Sequence, residues 1–188
     1  LRKGFLMKLL HIGDLHIGKR VNGFSLLEDQ KHILNQILET IKSRKIDGLL
    51  IAGDIYDTTT PSSEAMDCFD NFISEVHSLG PIEVQNGICI WLLPFIRPFD
   101  VRVYYPNFAS GSYEEMMGTV IKNLEIDKSK TNILVAHQFV TCNGKTPERS
   151  ESESVSLGTL DNIDVSNFDD LDYVALGHIH KPQPMGKK

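Results

Sequence analysis

The chain has 188 residues, 41% of them apolar and 23% charged, which are ordinary values for a globular domain and exclude a disordered or collagen-like chain. The net charge of −6 argues against a free-standing protein that grips nucleic acid through the phosphate backbone alone, but not against an enzyme whose metal ions supply local positive charge. The three cysteines form no C-x-x-C pair, so neither a disulfide framework nor a structural zinc site is predicted. No apolar run approaches the ~20 residues of a membrane span.

The first part of the chain alternates between predicted strands and helices. Residues 9–12 and 49–52 are short apolar runs, typical of buried parallel strands. Apolar residues recur at helical spacing over 25–44, and a second helix is predicted to begin at an N-cap Thr60 followed by Pro61. The order strand, helix, strand, helix predicts a layered α/β fold. The predicted buried stripe of the second helix consists of Ala65, Met66, Phe69, Phe72, Ile73, Val76 and Leu79.

The alternation stops near residue 80, where a third parallel strand is due. The segments Ile82-Glu83-Val84-Gln85 and 88–93 instead flank Asn86 and Gly87, a strong turn signal, and so predict a β-hairpin. The expected strand is therefore missing from its place in the pattern.

The second part of the chain contains further buried elements. Prolines between residues 94 and 106 predict an irregular stretch, and Ser112 with Glu115 forms a capping box that opens a helix. Residues 133–136 and 173–176 are again predicted as buried strands.

Every predicted parallel strand is followed directly by an aspartate or a histidine. In open α/β sheets the carboxyl edge of the strands is where ligands bind. Imidazole and carboxylate groups without thiolates are typical ligands of manganese, iron or zinc. The alternative, loop residues without a ligand, would require six polar residues to follow strands by coincidence. The six residues are Asp14 and His16, then Asp54, then His137, and finally His178 and His180, and Asp57 stands three residues beyond Asp54.

The spacing of these residues resembles that of the calcineurin-like metallophosphoesterases. The shared motifs are D-x-H at 14–16, G-D-x-x-D at 53–57, a histidine at 137 and G-H-x-H at 177–180. Within that superfamily, MKLLHIGDLHIG near the start and YVALGHIHKPQ near the end are most similar to the SbcD family of bacterial nuclease subunits, which process DNA double-strand breaks. The resemblance covers nearly all of residues 7–183.

The resemblance implies a two-metal site at the carboxyl ends of the strands. Manganese is the expected metal, with magnesium, iron or zinc as alternatives. Asp57 is expected to orient a ligand histidine, and Lys19 and Arg20 are candidates to contact a phosphate backbone, with a solvated turn as an equal alternative. The implied ligands are Asp14, His16 and His180 for the first metal, His137 and His178 for the second, and Asp54 bridging both.

The sequence departs from the superfamily pattern in one place. The superfamily carries Gly-Asn-His-Asp or Gly-Asn-His-Glu after its third parallel strand, where the asparagine completes the second metal site and the histidine serves as general acid. This chain contains no Asn-His dipeptide. Because the strand alternation fails at the same place, we expect that a segment is omitted between Gly80 and Pro81. A true deletion is less favoured, since it would remove an interior strand of the sheet.

We therefore predict one metallophosphoesterase domain over 7–188, with β-sheets flanked by helices and a capping region cut short at the C-terminus. Residues 1–6 are expected to be an extension or an expression remnant. The resemblance implies a metal-dependent exonuclease and endonuclease for double-stranded or hairpin DNA. It also implies an SbcC-like ATPase of the SMC family as partner, a homodimer, and a nucleoid-associated location in the bacterial cytoplasm, with no membrane.

Two other functions are compatible with the same residues. A phosphodiesterase or phosphatase that acts on small molecules or phosphoproteins would use the same ligands. A non-catalytic scaffold with a decayed site would explain the absent Asn-His dipeptide, although a decayed site should have lost ligands at several positions.

Overall fold

The computed structural model describes residues 7–79, 87–106, 111–148 and 162–186. It divides into two compact units, Leu1–Val84 and Gln85–Lys188, which are described separately. The predictions for residues 1–6, for a strand at 82–85 and for a missing segment between positions 80 and 81 lie outside the described residues.

The first unit is built around two parallel strands. Strands β1 (Leu9–Gly13) and β4 (Gly48–Ala52) pair in parallel along their whole length, as the sequence predicted. A small antiparallel hairpin, β2–β3, was not predicted, although its Asn22-Gly23 turn has the positive φ angles that this dipeptide favours. In chain order the elements are β1 (Leu9–Gly13), β2 (Arg20–Val21), β3 (Phe24–Ser25), α1 (Leu27–Arg44), β4 (Gly48–Ala52) and α2 (Ser63–Ser78).

Helix α1 forms because its apolar residues share one face. Leu34, Leu38 and Ile41 follow one another at spacings of a helical turn and are all buried. Acidic residues in the first turn and basic residues in the last complement the helix dipole. The helix ends at Lys45, which adopts a left-handed conformation with φ 51°.

The start of α2 differs from the prediction. Ser62, not Thr60, is the N-cap, and its hydroxyl accepts a hydrogen bond from the backbone N–H of Ala65 at 3.3 Å. The prediction placed Pro61 inside the first turn, whereas the proline precedes the cap. Serine is a stronger cap than threonine, and Ser62 has the extended backbone of an N-cap directly before the first helical residue, Ser63.

The buried face of α2 is also narrower than predicted. Ala65, Cys68 and Phe72 are its buried residues. The predicted stripe spread too far around the helix, because a surface helix buries a limited arc of its circumference. More than a third of the surface of three predicted core residues is exposed, namely Met66, Ile73 and Leu79.

The cap assignment predicts a stability difference between two neighbouring hydroxyl residues. Ser62→Ala should lower the free energy of unfolding by ~1 kcal/mol, since the N–H of Ala65 loses its acceptor. Thr60→Ala should change it little, because the Thr60 side chain does not cap the helix. Urea denaturation followed by circular dichroism measures both, and equal losses would contradict the assignment.

The second unit contains a parallel three-stranded sheet, with strands Ile88–Leu93, Thr131–Ala136 and Tyr173–Leu176 in that order, and a parallel pair, Phe139–Thr141 with Asn162–Asp164. Its elements in chain order are β5 (Ile88–Leu93), α3 (Pro98–Tyr104), α4 (Tyr113–Lys122), β6 (Thr131–Ala136), β7 (Phe139–Thr141), β8 (Asn162–Asp164), a 3₁₀ turn (Val165–Phe168) and β9 (Tyr173–Leu176). Strand β5 pairs with β6 in parallel, from Ile88 opposite Thr131 to Leu93 opposite Ala136.

Two predictions for this unit have different outcomes. The proline-punctuated stretch is not wholly irregular, because it contains the short helix α3, which begins at Pro98, a position that tolerates proline. The capping box is confirmed, with Ser112 and Glu115 satisfying each other's backbone N–H groups at the start of α4. Met117 of α4 and Leu134 of β6 are both fully buried members of the hydrophobic core of the unit. Among the described residues, no helix is both long and apolar enough to cross a membrane.

Candidate metal centre

In the first unit, the predicted ligands lie where the parallel strands end. Asp14 and His16 follow β1, and Asp54 follows β4 after one glycine. Pairing continues past both strands, because the backbone N–H of His16 donates to the Asp54 carbonyl at 2.9 Å. A ligand atom of Asp14 lies within 4.8 Å of one from His16 and within the same distance of one from Asp54. The three side chains therefore form one cluster.

The imidazole of His16 lies between two carboxylates. Its Nε2 is 3.7 Å from Asp54 Oδ2, and its Nδ1 is 3.5 Å from Asp57 Oδ1. A metal-binding histidine commonly directs one ring nitrogen to the metal and the other to a carboxylate, which sets the tautomer and the ring orientation. Asp57 lies where such an orienting carboxylate is expected.

Strained backbone is concentrated at the predicted ligands. Seven non-glycine residues in the described parts of the chain have positive φ, and four of them are predicted ligands. Such conformations cost of order 1–3 kcal/mol each and cluster at functional sites. The remaining three residues, Asn22, Lys45 and Asn143, lie in turns or at a helix end. The φ values of the four predicted ligands are 54° for Asp14, 44° for His16, 28° for Asp54 and 80° for His178.

In the second unit, three histidines follow two adjacent strands. His137 comes after β6, and His178 and His180 come after β9. Pairing again extends beyond the strands, with the N–H of Gly177 donating to the Ala136 carbonyl at 3.0 Å. The rings of His137 and His178 pack edge to face, with their centroids 5.2 Å apart. The ring of Phe139 also packs edge to face with His178, with a centroid distance of 5.8 Å. These contacts give the paired imidazoles a defined orientation.

The segment after His180 is held by a second loop of the same unit. The side-chain amide of Gln183 accepts from the N–H of Glu148 at 3.0 Å and donates to its carbonyl at 2.7 Å. Lys181 forms an ion pair with the Glu148 carboxylate. The hydrogen bond from Lys181 and the positive charge of its ammonium group hold the pKa of the Glu148 carboxyl below its usual value.

Lys19 and Arg20 lie on the hairpin that follows His16. The N–H of Lys19 donates to the His16 carbonyl at 3.1 Å. Arg20 is exposed, and its guanidinium donates to the carbonyl of Gly23 within the hairpin turn. The two basic residues thus follow the predicted ligand His16 by three and four positions in the chain.

Two glutamines that the sequence analysis overlooked support these segments. Gln138 follows His137 directly and is buried, with its amide donating to the Pro94 carbonyl at 3.2 Å and accepting from the Tyr113 hydroxyl at 2.7 Å. Gln30 of α1 contacts the segment that carries His16. Gln30 could have been recognised as a polar residue on the apolar face of the helix, between Leu27 and Leu34.

The donors present suit divalent metal ions. The first unit supplies carboxylates and one imidazole, and the second supplies three imidazoles. None of the seven predicted residues is a thiol, and this combination fits manganese, iron or zinc better than copper or an iron–sulfur cluster. The chemistry of the donor set therefore agrees with the predicted metal binding.

Residues 7–182 match the sequence profile of the calcineurin-like phosphoesterases, and the chain belongs to that family. This is a family of phosphoester hydrolases that use divalent metal ions, and its α/β fold of parallel sheets flanked by helices agrees with the structure. The family and the fold class predicted from the motifs are both confirmed.

A curated relative narrows the comparison. The SbcD subunit of the SbcCD nuclease from Staphylococcus epidermidis is 30% identical to the chain over 219 residues, which cover 94% of this chain and 57% of that protein. The chain thus spans little more than half the length of this relative. Because the alignment has 219 positions and the chain has 188 residues, the relative contains at least 31 residues with no counterpart here.

Proposed function

We propose that the chain is the catalytic part of a metal-dependent DNA nuclease that hydrolyses phosphodiester bonds in double-stranded or hairpin DNA. The observation that carries the proposal is the placement of carboxylates and imidazoles at the carboxyl ends of parallel strands in both units. The similarity to a nuclease component supports DNA as the substrate.

The proposed ligands follow the family pattern. When bound, two divalent ions would activate water and neutralise charge on the attacked phosphate. The chain's own contribution is to hold the donors in place. Asp57 would accept a hydrogen bond from the protonated Nδ1 of His16, leaving Nε2 to face the metal. The proposed ligands are Asp14, His16 and His180 for one ion, His137 and His178 for the other, and Asp54 for both.

The positive side chains beyond His16 would contact the substrate. Lys19 and Arg20 lie on a short hairpin joined to His16 by a backbone hydrogen bond. Basic side chains at such a place would hold the DNA phosphates that flank the bond being cleaved. With a net charge of −6, the chain depends on these local cations and on its metals to bind DNA.

The second metal site is incomplete in this sequence, which lacks the Asn-His dipeptide. The proposal includes a segment omitted between Gly80 and Pro81, and the additional residues of the relative support it. Peptide mapping by tandem mass spectrometry of the protein from its natural source tests this point. Further residues are expected between Gly80 and Pro81, and a peptide in which these two residues are directly joined would favour the scaffold alternative.

The proposed partners are those of the related nuclease. We infer an SbcC-like ATPase of the SMC family, assembly as a homodimer, and a nucleoid-associated location in the bacterial cytoplasm. The name of the relative, which makes it one component of SbcCD, supports the partner ATPase.

Cleavage assays distinguish the three functions. Manganese-dependent cleavage of a hairpin or duplex DNA is expected, with complete loss on chelation by EDTA. Hydrolysis of a small chromogenic phosphodiester without DNA cleavage would contradict the nuclease and favour the small-substrate enzyme. Two equivalents of bound manganese per chain would exclude a scaffold with an empty second site.

A further inference from the structure

The side chain of Gln30 in helix α1 forms hydrogen bonds with the segment that carries His16. We propose that Gln30 is a positioning residue, which maintains the strained backbone of residues 14–18 and thereby sets the orientation of Asp14 and His16 for metal binding. This inference rests on the proposed metal site and names a residue outside the ligand set.

The amide of Gln30 satisfies three backbone groups of this segment. Its Oε1 accepts from the N–H of Gly18 at 2.9 Å, and its Nε2 donates to the carbonyls of Leu15 at 3.2 Å and His16 at 2.7 Å. One side chain therefore uses its acceptor and both amide hydrogens within four consecutive residues, 15–18. These three bonds tie the segment to helix α1 on both sides of Ile17.

These bonds act on a segment that contains a left-handed backbone conformation. His16 has a φ of 44°, and its carbonyl receives a further bond from the N–H of Lys19 at 3.1 Å. The strained conformation persists only when surrounding groups over-determine it. Without the Gln30 amide, the carbonyl of Leu15 would lose this side-chain donor and the segment could relax toward an extended conformation.

Packing keeps the segment on the core of the first unit independently of Gln30, because Leu15 and Ile17 both pack there. Ile17 is 2% exposed and belongs to the core of the first unit. Gly18 lies against α2, where an added Cβ would come within 3.1 Å of the Ala65 side chain. Loss of Gln30 should therefore not detach the segment from the core. The loss should instead change the orientation of the His16 imidazole. The effect of the substitution on metal affinity is therefore separable from its effect on folding.

The test compares Gln30→Met with the unsubstituted protein, each with the full sequence that the natural source encodes. Methionine keeps the length of the side chain and its packing but forms none of the three hydrogen bonds. Manganese titration by calorimetry should show affinity reduced by ~10–100-fold, the usual effect of removing a group that orients a ligand. Amide exchange of Gly18 in the metal-free protein, followed by NMR, should accelerate in the variant.

Two further variants complete the experiment. Gln36→Met, on the exposed side of the same helix, is the matched control and should leave manganese affinity unchanged. Gln30→Glu keeps the acceptor for Gly18 but loses both donors, and it reports the same loss of affinity if Gln30→Met fails to fold.

The outcomes separate this inference from the proposed function. If the unsubstituted chain binds manganese and the folded Gln30 variants bind it equally well, the positioning role is overturned while the metal site stands. If the unsubstituted chain binds no manganese, both the metal site and the positioning role are overturned.

Discussion

Replacing Asp54 with asparagine should reduce manganese affinity by more than ~100-fold, beyond the ~10–100-fold loss that follows removal of an orienting group. The proposed role of Asp54 is to bridge both ions, so the variant loses an anionic ligand from each. Its carboxylate also lies 3.7 Å from Nε2 of His16, so the substitution removes a negative charge beside a second proposed ligand. Phosphodiester hydrolysis should fall with the metal content.

The fold should survive this substitution. The Asp54 side chain is 47% exposed, and asparagine tolerates its positive φ as well as aspartate does. Calorimetric titration with manganese measures the affinity, and thermal unfolding of the metal-free protein verifies the fold. Asp67→Asn, an equivalent change on the exposed surface of α2, serves as control. Unchanged manganese binding in a folded Asp54→Asn protein would refute the bridging role.

Replacing Phe72 with alanine should lower the free energy of unfolding by ~3–5 kcal/mol, because a large side chain that is 3% exposed would leave a cavity. That loss is a large part of the ~5–15 kcal/mol that stabilises a typical protein. Phe72 shares its cluster with Ile17, the residue after His16, so the core that it fills also supports the candidate metal site.

Replacement of the neighbouring residue, Ile73, should cost much less stability. Ile73 was predicted to be buried beside Phe72, but it is 37% exposed. Ile73→Ala should therefore cost well under half as much as Phe72→Ala. Urea denaturation followed by circular dichroism measures both, and comparable losses would mean that the helix buries the wider face predicted from the sequence.

Local patterns were sufficient to predict β1, β4, β6 and β9 and the capping box, but not the short strands β2, β3, β7 and β8. Short apolar runs bounded by turn residues identify β1, β4 and β9, since these strands are apolar on both faces and show no competing signal. The Ser112–Glu115 box was predicted because the bonds that define it lie within four residues.

Long-range packing decided what those patterns left open. Periodicity alone does not say how α2 rotates about its axis, and contacts with Leu34 and Leu38 of α1 select the face that contains Cys68 and Phe72. Helix α3 was overlooked because prolines were interpreted as breakers, although proline is compatible with a first turn.

The candidate site divides in the same way. The sequence alone was enough to identify which residues follow the parallel strands and which family they define, because metal chemistry and strand order restrict residue type and spacing. The three-dimensional structure was needed to show that Gln30 and Gln138 hold the ligand segments, since each side chain reaches groups that no sequence spacing connects. It also revealed the strained φ angles at Asp14, His16 and Asp54, which depend on contacts from neighbouring elements rather than on local preference.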